Sequence, residues 1–243
     1  MENLKDKTLK SIAIEHFDLI PILEKYSLDF CCKGAKTLSV ACTEKNISVE
    51  ALMAELSDSK NSINSSKTQM PFNEMSADQL ISYILIHHHF YVKTAIPTIY
   101  NHIQKVVVKH GIRYPHMEKV LALFTEVSEE LVSHMKKEEE ILFPRIKTLY
   151  SNEEAEKAAH FVAGYINAPV SVMEKEHEKV GALLFEIRAL TSHYTAPETA
   201  CTTHRVCLDE LKAFEEDLHQ HVHLENNILF PMAAIKMQEH ALN

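Results

Sequence analysis

Two stretches of the chain, HMKKEEEILFP at 134–144 and HVHLENNILFP at 221–231, share the pattern H-x-x-x-E-x-x-I-L-F-P. Residues four apart on a helix lie one turn apart on the same face. His134 with Glu138, and His221 with Glu225, therefore each aim an imidazole and a carboxylate at one spot. The Ile-Leu-Phe that follows is expected to seat both segments in an apolar core at the same depth. Two more histidines complete the set: His89 in IHHHFYVKTAIP precedes His134 by 45 residues, and His177 in MEKEHEKVG precedes His221 by 44. Two helical hairpins, each with one histidine on its first helix and H-x-x-x-E on its second, would place four imidazoles and two carboxylates in one core. Isolated buried carboxylates are costly, and a metal is a standard way to satisfy them.

Six mixed nitrogen and oxygen ligands suit two metal ions, with each carboxylate able to bridge, a logic that ferritin-like bundles use with other ligand counts. Imidazole and carboxylate without thiolate favour iron or manganese over structural zinc, which prefers closed four-coordinate sites. A single H-x-x-x-E is more often a solvated ion pair on a helix surface. Two copies with identical apolar tails, each preceded by a histidine at nearly equal spacing, are hard to obtain from surface chemistry. His87 and His88 are rotated by about 100–200° from His89, so one of the three faces the site squarely. His219 and His223 flank His221, but ten residues to the proline matches His134 and selects His221. His110, beside Gly111, is expected in a loop, and Lys136, Lys137, Glu139 and Glu140 on a solvated face.

The adjacent cysteines Cys31 and Cys32 form a second candidate. Vicinal cysteines seldom bridge each other, because the small ring strains the peptide. They are either small buried side chains beside a turn, or a thiol pair that takes iron or an electron, or reacts with nitric oxide as a thiolate would. Asp29, Phe30 and Lys33 are placed to tune the pair, and Gly34 to turn the chain with a positive φ. Cys201 and Cys207 are expected in the core.

The elements that must position these residues are helical. Residues 1–60 read as a small helical domain, with apolar residues at i, i+3 and i+4 in LKSIAIEHF and DLIPILEKY and Ser48 as an N-cap. Residues 61–75, rich in Ser and Asn, read as a linker. Residues 76–240 read as a four-helix bundle, with Ser76 capping a helix over about 77–109 that Gly111 and Pro115 end. Others run over about 116–149, 169–194 and 198–238, with Pro169 and Pro197 at first helical positions. Pro97, Pro144 and Pro231 should kink or stop helices. Helices of about 25–35 residues make a bundle some 40–50 Å long.

Composition agrees with an all-α fold. Only four glycines and no tryptophan occur in 243 residues, and 46% of residues are hydrophobic. A net charge of −9 argues against nucleic acid as the main partner. The charged start, MENLKDKTLK, has no signal-peptide core, and no stretch approaches the length of a membrane span. Five sparse cysteines read as reduced thiols. A cytoplasmic protein without membrane contact is expected.

Taken together, YSLDFCCKG, HHHFYVKTAIP, HMKKEEEILFP, SVMEKEHEKVG, PETACTTH and HLENNILFP make the chain resemble, over almost its whole length, the hemerythrin-like repair of iron centres (RIC) proteins. The resemblance implies an oxo- or hydroxo-bridged di-iron centre with bridging carboxylates Glu138 and Glu225 and histidine ligands His89, His134, His177 and His221. It also implies a cytosolic stress-response role in rebuilding iron–sulfur clusters damaged by nitric oxide or peroxide, with apo or damaged iron–sulfur proteins as partners, and a homodimer. Oxygen-carrying hemerythrins place H-x-x-x-H on the third helix. Here Gly181 follows His177 by four residues and Met173 precedes it by four, so one iron loses an imidazole. Gly181 either leaves room for a small ligand or permits close helix packing. Three functions compete: iron donation from a labile di-iron site, reduction of nitric oxide, and oxygen or nitric oxide sensing.

Overall fold

A computed structural model describes residues 4–63, 71–151 and 164–242. Among the described residues all regular elements are helical. Four short helices come first: α1 (Leu9–Glu15), α2 (Ile20–Lys25), α3 (Leu38–Glu44) and α4 (Val49–Ile63). Thr8, Thr37 and Ser48 cap α1, α3 and α4 through their side-chain oxygens, each satisfying a backbone N–H that the first turn leaves open. Within the stretch read as a linker, residues 64–70 lie outside the described residues. A 3-10 turn, Phe72–Glu74, leads into the bundle.

Three of the four bundle helices contain a π turn. α5 runs as Ala77–Tyr83, a π turn Ile84–His89 and Phe90–His110. α6 runs as His116–Lys137, a π turn Glu138–Leu142 and Phe143–Leu149. α7 is Asn167–Leu190. α8 runs as Thr202–Leu224, a π turn Glu225–Leu229 and Phe230–Leu242. Ser76 and Gln79 form a reciprocal capping box at the start of α5.

Pro97, Pro144 and Pro231 do not stop these helices. In both repeats the Phe N–H reaches five residues back, from Phe143 to the Glu138 carbonyl and from Phe230 to the Glu225 carbonyl. Pro144 and Pro231 would leave the carbonyls of Glu140 and Asn227 without the usual i−4 donor. Those carbonyls lie inside the π turns, where the ladder is already widened, so both helices continue. Two starts also move. α7 begins two residues before Pro169, and Pro197 lies in a turn that precedes α8, with the N–H of Ala200 on its carbonyl. α7 ends at Leu190 because Ser192, His193 and Tyr194 all take positive φ.

α5 packs against α6 and α8, and α6 against α7. Two apolar clusters occupy the bundle. One contains Val92, Val127, Leu131, Val180, Leu184 and Leu218 and is continuous with the amino-terminal core of Leu9, Ile12, Leu23 and Phe30. The other contains Ile84, Leu142, Phe143, Met173, Leu229 and Phe230. The Ile-Leu-Phe tails are not equivalent as expected: Ile141 is 44% exposed, whereas Ile228 is 7% exposed. Helix α1 packs against the π turn of α8 and accounts for the difference. No helix among the described residues is long and apolar enough to cross a membrane.

Gly34 has no positive φ. Its role is close approach, since a Cβ there would lie 2.4 Å from the Phe30 carbonyl oxygen and 2.9 Å from Lys10 Cβ. Its own carbonyl accepts the Lys10 N–H at 2.9 Å, tying the cysteine loop to α1. Gly34→Ala is expected to cost about 1–3 kcal/mol and to speed labelling of Cys31 by thiol reagents. Denaturant midpoints and labelling rates check this, and an unchanged midpoint would contradict it.

Candidate metal centre

The π turns act where the chemistry is. Glu138 and Glu225 each open one, and His89 closes the third; such turns are frequent at functional sites because they re-aim side chains inside an unbroken helix. The six residues picked from spacing converge in two groups of four, His89, Glu138, His221 and Glu225, and His134, Glu138, His177 and Glu225, each with its ligand atoms within 4.8 Å of one another. Both glutamates belong to both groups. Glu138 Oε2 lies 3.3 Å from His89 Nε2 and from His134 Nε2. Glu225 divides its oxygens, with Oε1 2.9 Å from His221 Nε2 and Oε2 3.2 Å from His177 Nε2. All six side chains are buried, and both glutamates are 0% exposed.

These atoms fit metal ions and fit one another poorly without them. Both oxygens of Glu138, Oε2 of Glu225 and Nε2 of His89 are buried with no hydrogen-bond partner. His134 Nε2 and His177 Nε2 face each other at 2.9 Å. Each of these rings has its Nδ1 engaged outside the cluster, His134 on Glu176 at 2.9 Å and His177 on Asn226 at 3.0 Å. Donation from Nδ1 leaves the Nε2 lone pair pointing inward, the tautomer a metal requires. His89 is wired the same way, with Nδ1 2.7 Å from Glu139 Oε1. Metal cations would supply the positive charge that two carboxylates buried in an apolar surround require.

Sequence reasoning missed these outer partners and misplaced two of them. Lys136 and Glu140 do form a solvated pair. Glu139 and Lys137 do not belong with them: Glu139 turns in to His89 and Lys93, and Lys137 pairs with Glu176, which holds His134. The signal was adjacency, for Glu139, Glu176 and Asn226 each neighbour a predicted ligand in the chain. His88 is also buried. Its Nδ1 donates to the Asp217 carboxylate at 3.0 Å and its ring lies flat against His221, while His87 is exposed and tilted 33° against Tyr83. His223 is buried under the amino-terminal domain, against Phe30.

A Cβ on Gly181 would meet nothing within 4 Å. Close helix packing is therefore not what the glycine serves; the space one turn from His177 is open.

In the amino-terminal domain, Asp29 Oδ1 accepts the N–H groups of Cys31, Cys32 and Lys33. The Cys31 thiol lies 3.4 Å from the same oxygen and 3.8 Å from the Cys32 sulfur. Asp29, Cys31 and Cys32 form a third group able to hold a metal. Cys32 and burial push the Cys31 thiol well above its ordinary range, so Cys31 is a thiol at neutral pH and becomes a thiolate only when a cation replaces the proton. The Asn227 amide, two residues past Glu225, donates to the Phe30 carbonyl at 3.1 Å, fixing the cysteine loop to α8.

Four helices that converge imidazoles and carboxylates on one buried layer define a hemerythrin-type bundle, and comparison with known proteins agrees. Residues 80–233 match the hemerythrin HHE cation binding domain, and residues 5–60 match the ScdA_N domain, a domain of unknown function. The chain is 33% identical over 229 residues to proteins named iron-sulfur cluster repair protein YtfE from Yersinia pseudotuberculosis serotype IB (strain PB1/+) and Yersinia pestis (strain Pestoides F), covering 94% of this chain and 97% of each relative. The chain belongs to the hemerythrin-like RIC family.

Electrostatics set a pH dependence. Burial lowers the pKa of His134, but Glu138, with Glu225 and Glu176, outweighs it and lifts the group from 6.5 to about 9. Burial raises Glu225, yet His221 and His177 hold it well below the usual carboxylate range. In the metal-free protein at pH 7, His134 is thus protonated and must lose its proton to ligate. Metal affinity is expected to rise as pH climbs toward about 9 and to fall on acidification. Zinc titrations in buffers of different ionisation enthalpy should find more protons released at pH 7 than at pH 9.5, and equal release at both would contradict this.

Proposed function

We propose that this chain holds two iron ions between His89, His134, His177, His221, Glu138 and Glu225, with both carboxylates bridging, and that it supplies this iron to damaged iron–sulfur clusters in the cytoplasm under nitrosative or oxidative stress. The observation that carries the reading is the set of buried, unpartnered carboxylate oxygens facing imidazole nitrogens whose far sides are already engaged. What supports repair as the use of that iron is the name carried by relatives matched over nearly their whole length. An all-nitrogen and oxygen donor set with no thiolate suits iron. When bound, the two ions would supply one-electron redox chemistry and a bridging position.

The residues have separable tasks. Glu138 and Glu225 neutralise the cations and tie the two positions together. Glu139, Glu176 and Asn226 hold three imidazoles in the ligating tautomer. The apolar clusters on both sides of the layer exclude water. Asp29, Cys31 and Cys32, docked on α8 through Asn227, form a receiving group for iron in transit, with apo iron–sulfur proteins as recipients. Chains acting as a homodimer belong to the same proposal.

The test is iron transfer. Reduced, iron-loaded protein should restore the cluster of an apo iron–sulfur protein when inorganic sulfide is supplied, and Glu138→Ala or Glu225→Ala should abolish this. Unchanged rebuilding by either variant would refute the reading. A second reading, reduction of nitric oxide, is favoured by the open space at Gly181. It requires multiple turnovers to nitrous oxide with an electron donor, and stoichiometric consumption followed by arrest would exclude it.

A further inference from the structure

The two metal positions differ in how their imidazoles are held. At the position of His134 and His177, both rings have Nδ1 tethered, to Glu176 at 2.9 Å and to Asn226 at 3.0 Å. Glu176 is itself pinned by Lys137. At the other position, His89 is tethered to Glu139 at 2.7 Å, and Lys93 pins Glu139 at 2.6 Å. His221 is the exception. Its Nδ1 is buried and has no partner among the described residues, although the ring is 1% exposed. Beyond the 2.9 Å approach of its Nε2 to Glu225 Oε1, the ring is located by packing, flat against His88 with centroids 5.3 Å apart and 4° between planes, and edge-on to His89 at 5.0 Å. His88 in turn is fixed by Asp217 at 3.0 Å.

Outer partners of a ligating histidine fix its tautomer and raise its basicity, and removing one typically lowers metal affinity roughly 10–100-fold. A ring without that partner resembles a variant already missing it. We propose that the two positions are unequal by construction: the ion held by His89 and His221 leaves first, and His88 is the positioning residue that keeps His221 in place. The inference rests on the two-iron reading and names which ion is the mobile one.

Release kinetics test this. Protein loaded anaerobically with two ferrous ions is mixed with excess colorimetric ferrous chelator and followed by stopped flow. Two phases of equal amplitude are expected, separated roughly tenfold or more in rate. Glu176→Gln, which keeps the side chain's shape, should accelerate only the slow phase. Glu139→Gln and His88→Leu should accelerate only the fast phase, with metal-free melting temperatures close to the parent's. A single phase for both ions, or a Glu176→Gln effect on the fast phase, would overturn the inference. Failure of the repair reading is distinguishable: two correctly assigned phases with no iron reaching an apo iron–sulfur protein would refute repair and leave the inequality standing. A single phase with transfer intact would do the reverse.

Discussion

Two carboxylates with no exposed surface sit at the middle of an apolar bundle, and no lysine or arginine reaches them among the described residues. An ionised carboxylate in such a place is strongly unfavourable unless cations or hydrogen-bond donors surround it. The four imidazoles supply that surround only in part, because several of the facing atoms lack hydrogen-bond alignment. The rest of the architecture follows from holding these two groups. Three helices widen into π turns at their level, apolar clusters close the layer on both sides, and an outer ring of Glu139, Glu176 and Asn226 orients the imidazoles from behind.

The amino-terminal domain is built into this arrangement instead of being appended to it. Its core is continuous with one apolar cluster of the bundle. Its cysteine loop is tied to α1 at Gly34 and to α8 at Asn227. Asn227 belongs to the π turn that Glu225 opens, so the same backbone distortion that aims a central carboxylate also offers the amide on which the thiol loop rests. A buried polar chain strengthens the junction: His219 contacts Glu24 at 3.5 Å, and Tyr194 and Arg188 both reach Glu215.

Much of this was legible from residue spacing because a helix converts i,i+4 into proximity. The repeat at 134–144 and 221–231 contained four of the six central side chains, and the nearly equal spacing back to His89 and His177 supplied the other two. Its proline also carried information that a 3.6-residue reading discards. A proline six residues after the glutamate falls where a widened turn spares the i−4 hydrogen bond it cannot make, and that turn begins at Glu138 and at Glu225. The outer partners were harder to see, since a glutamate that orients a histidine and one that is merely solvated look alike in sequence. Glu139 and Glu140 are adjacent and do different things. The state of the thiol pair was out of reach for a similar reason: sequence places Asp29 near Cys31, but only the fold shows that Cys32, burial and the carboxylate favour the protonated thiol.

The central claim is that six residues hold two metal ions. Metal analysis and the ultraviolet–visible spectrum of purified protein, beside a His134→Ala/Glu225→Ala variant, test it most directly. The account predicts about two irons per chain, with a near-ultraviolet oxo-bridge absorption that the double substitution removes. Protein without iron, or with a single zinc that survives the double substitution, would contradict it.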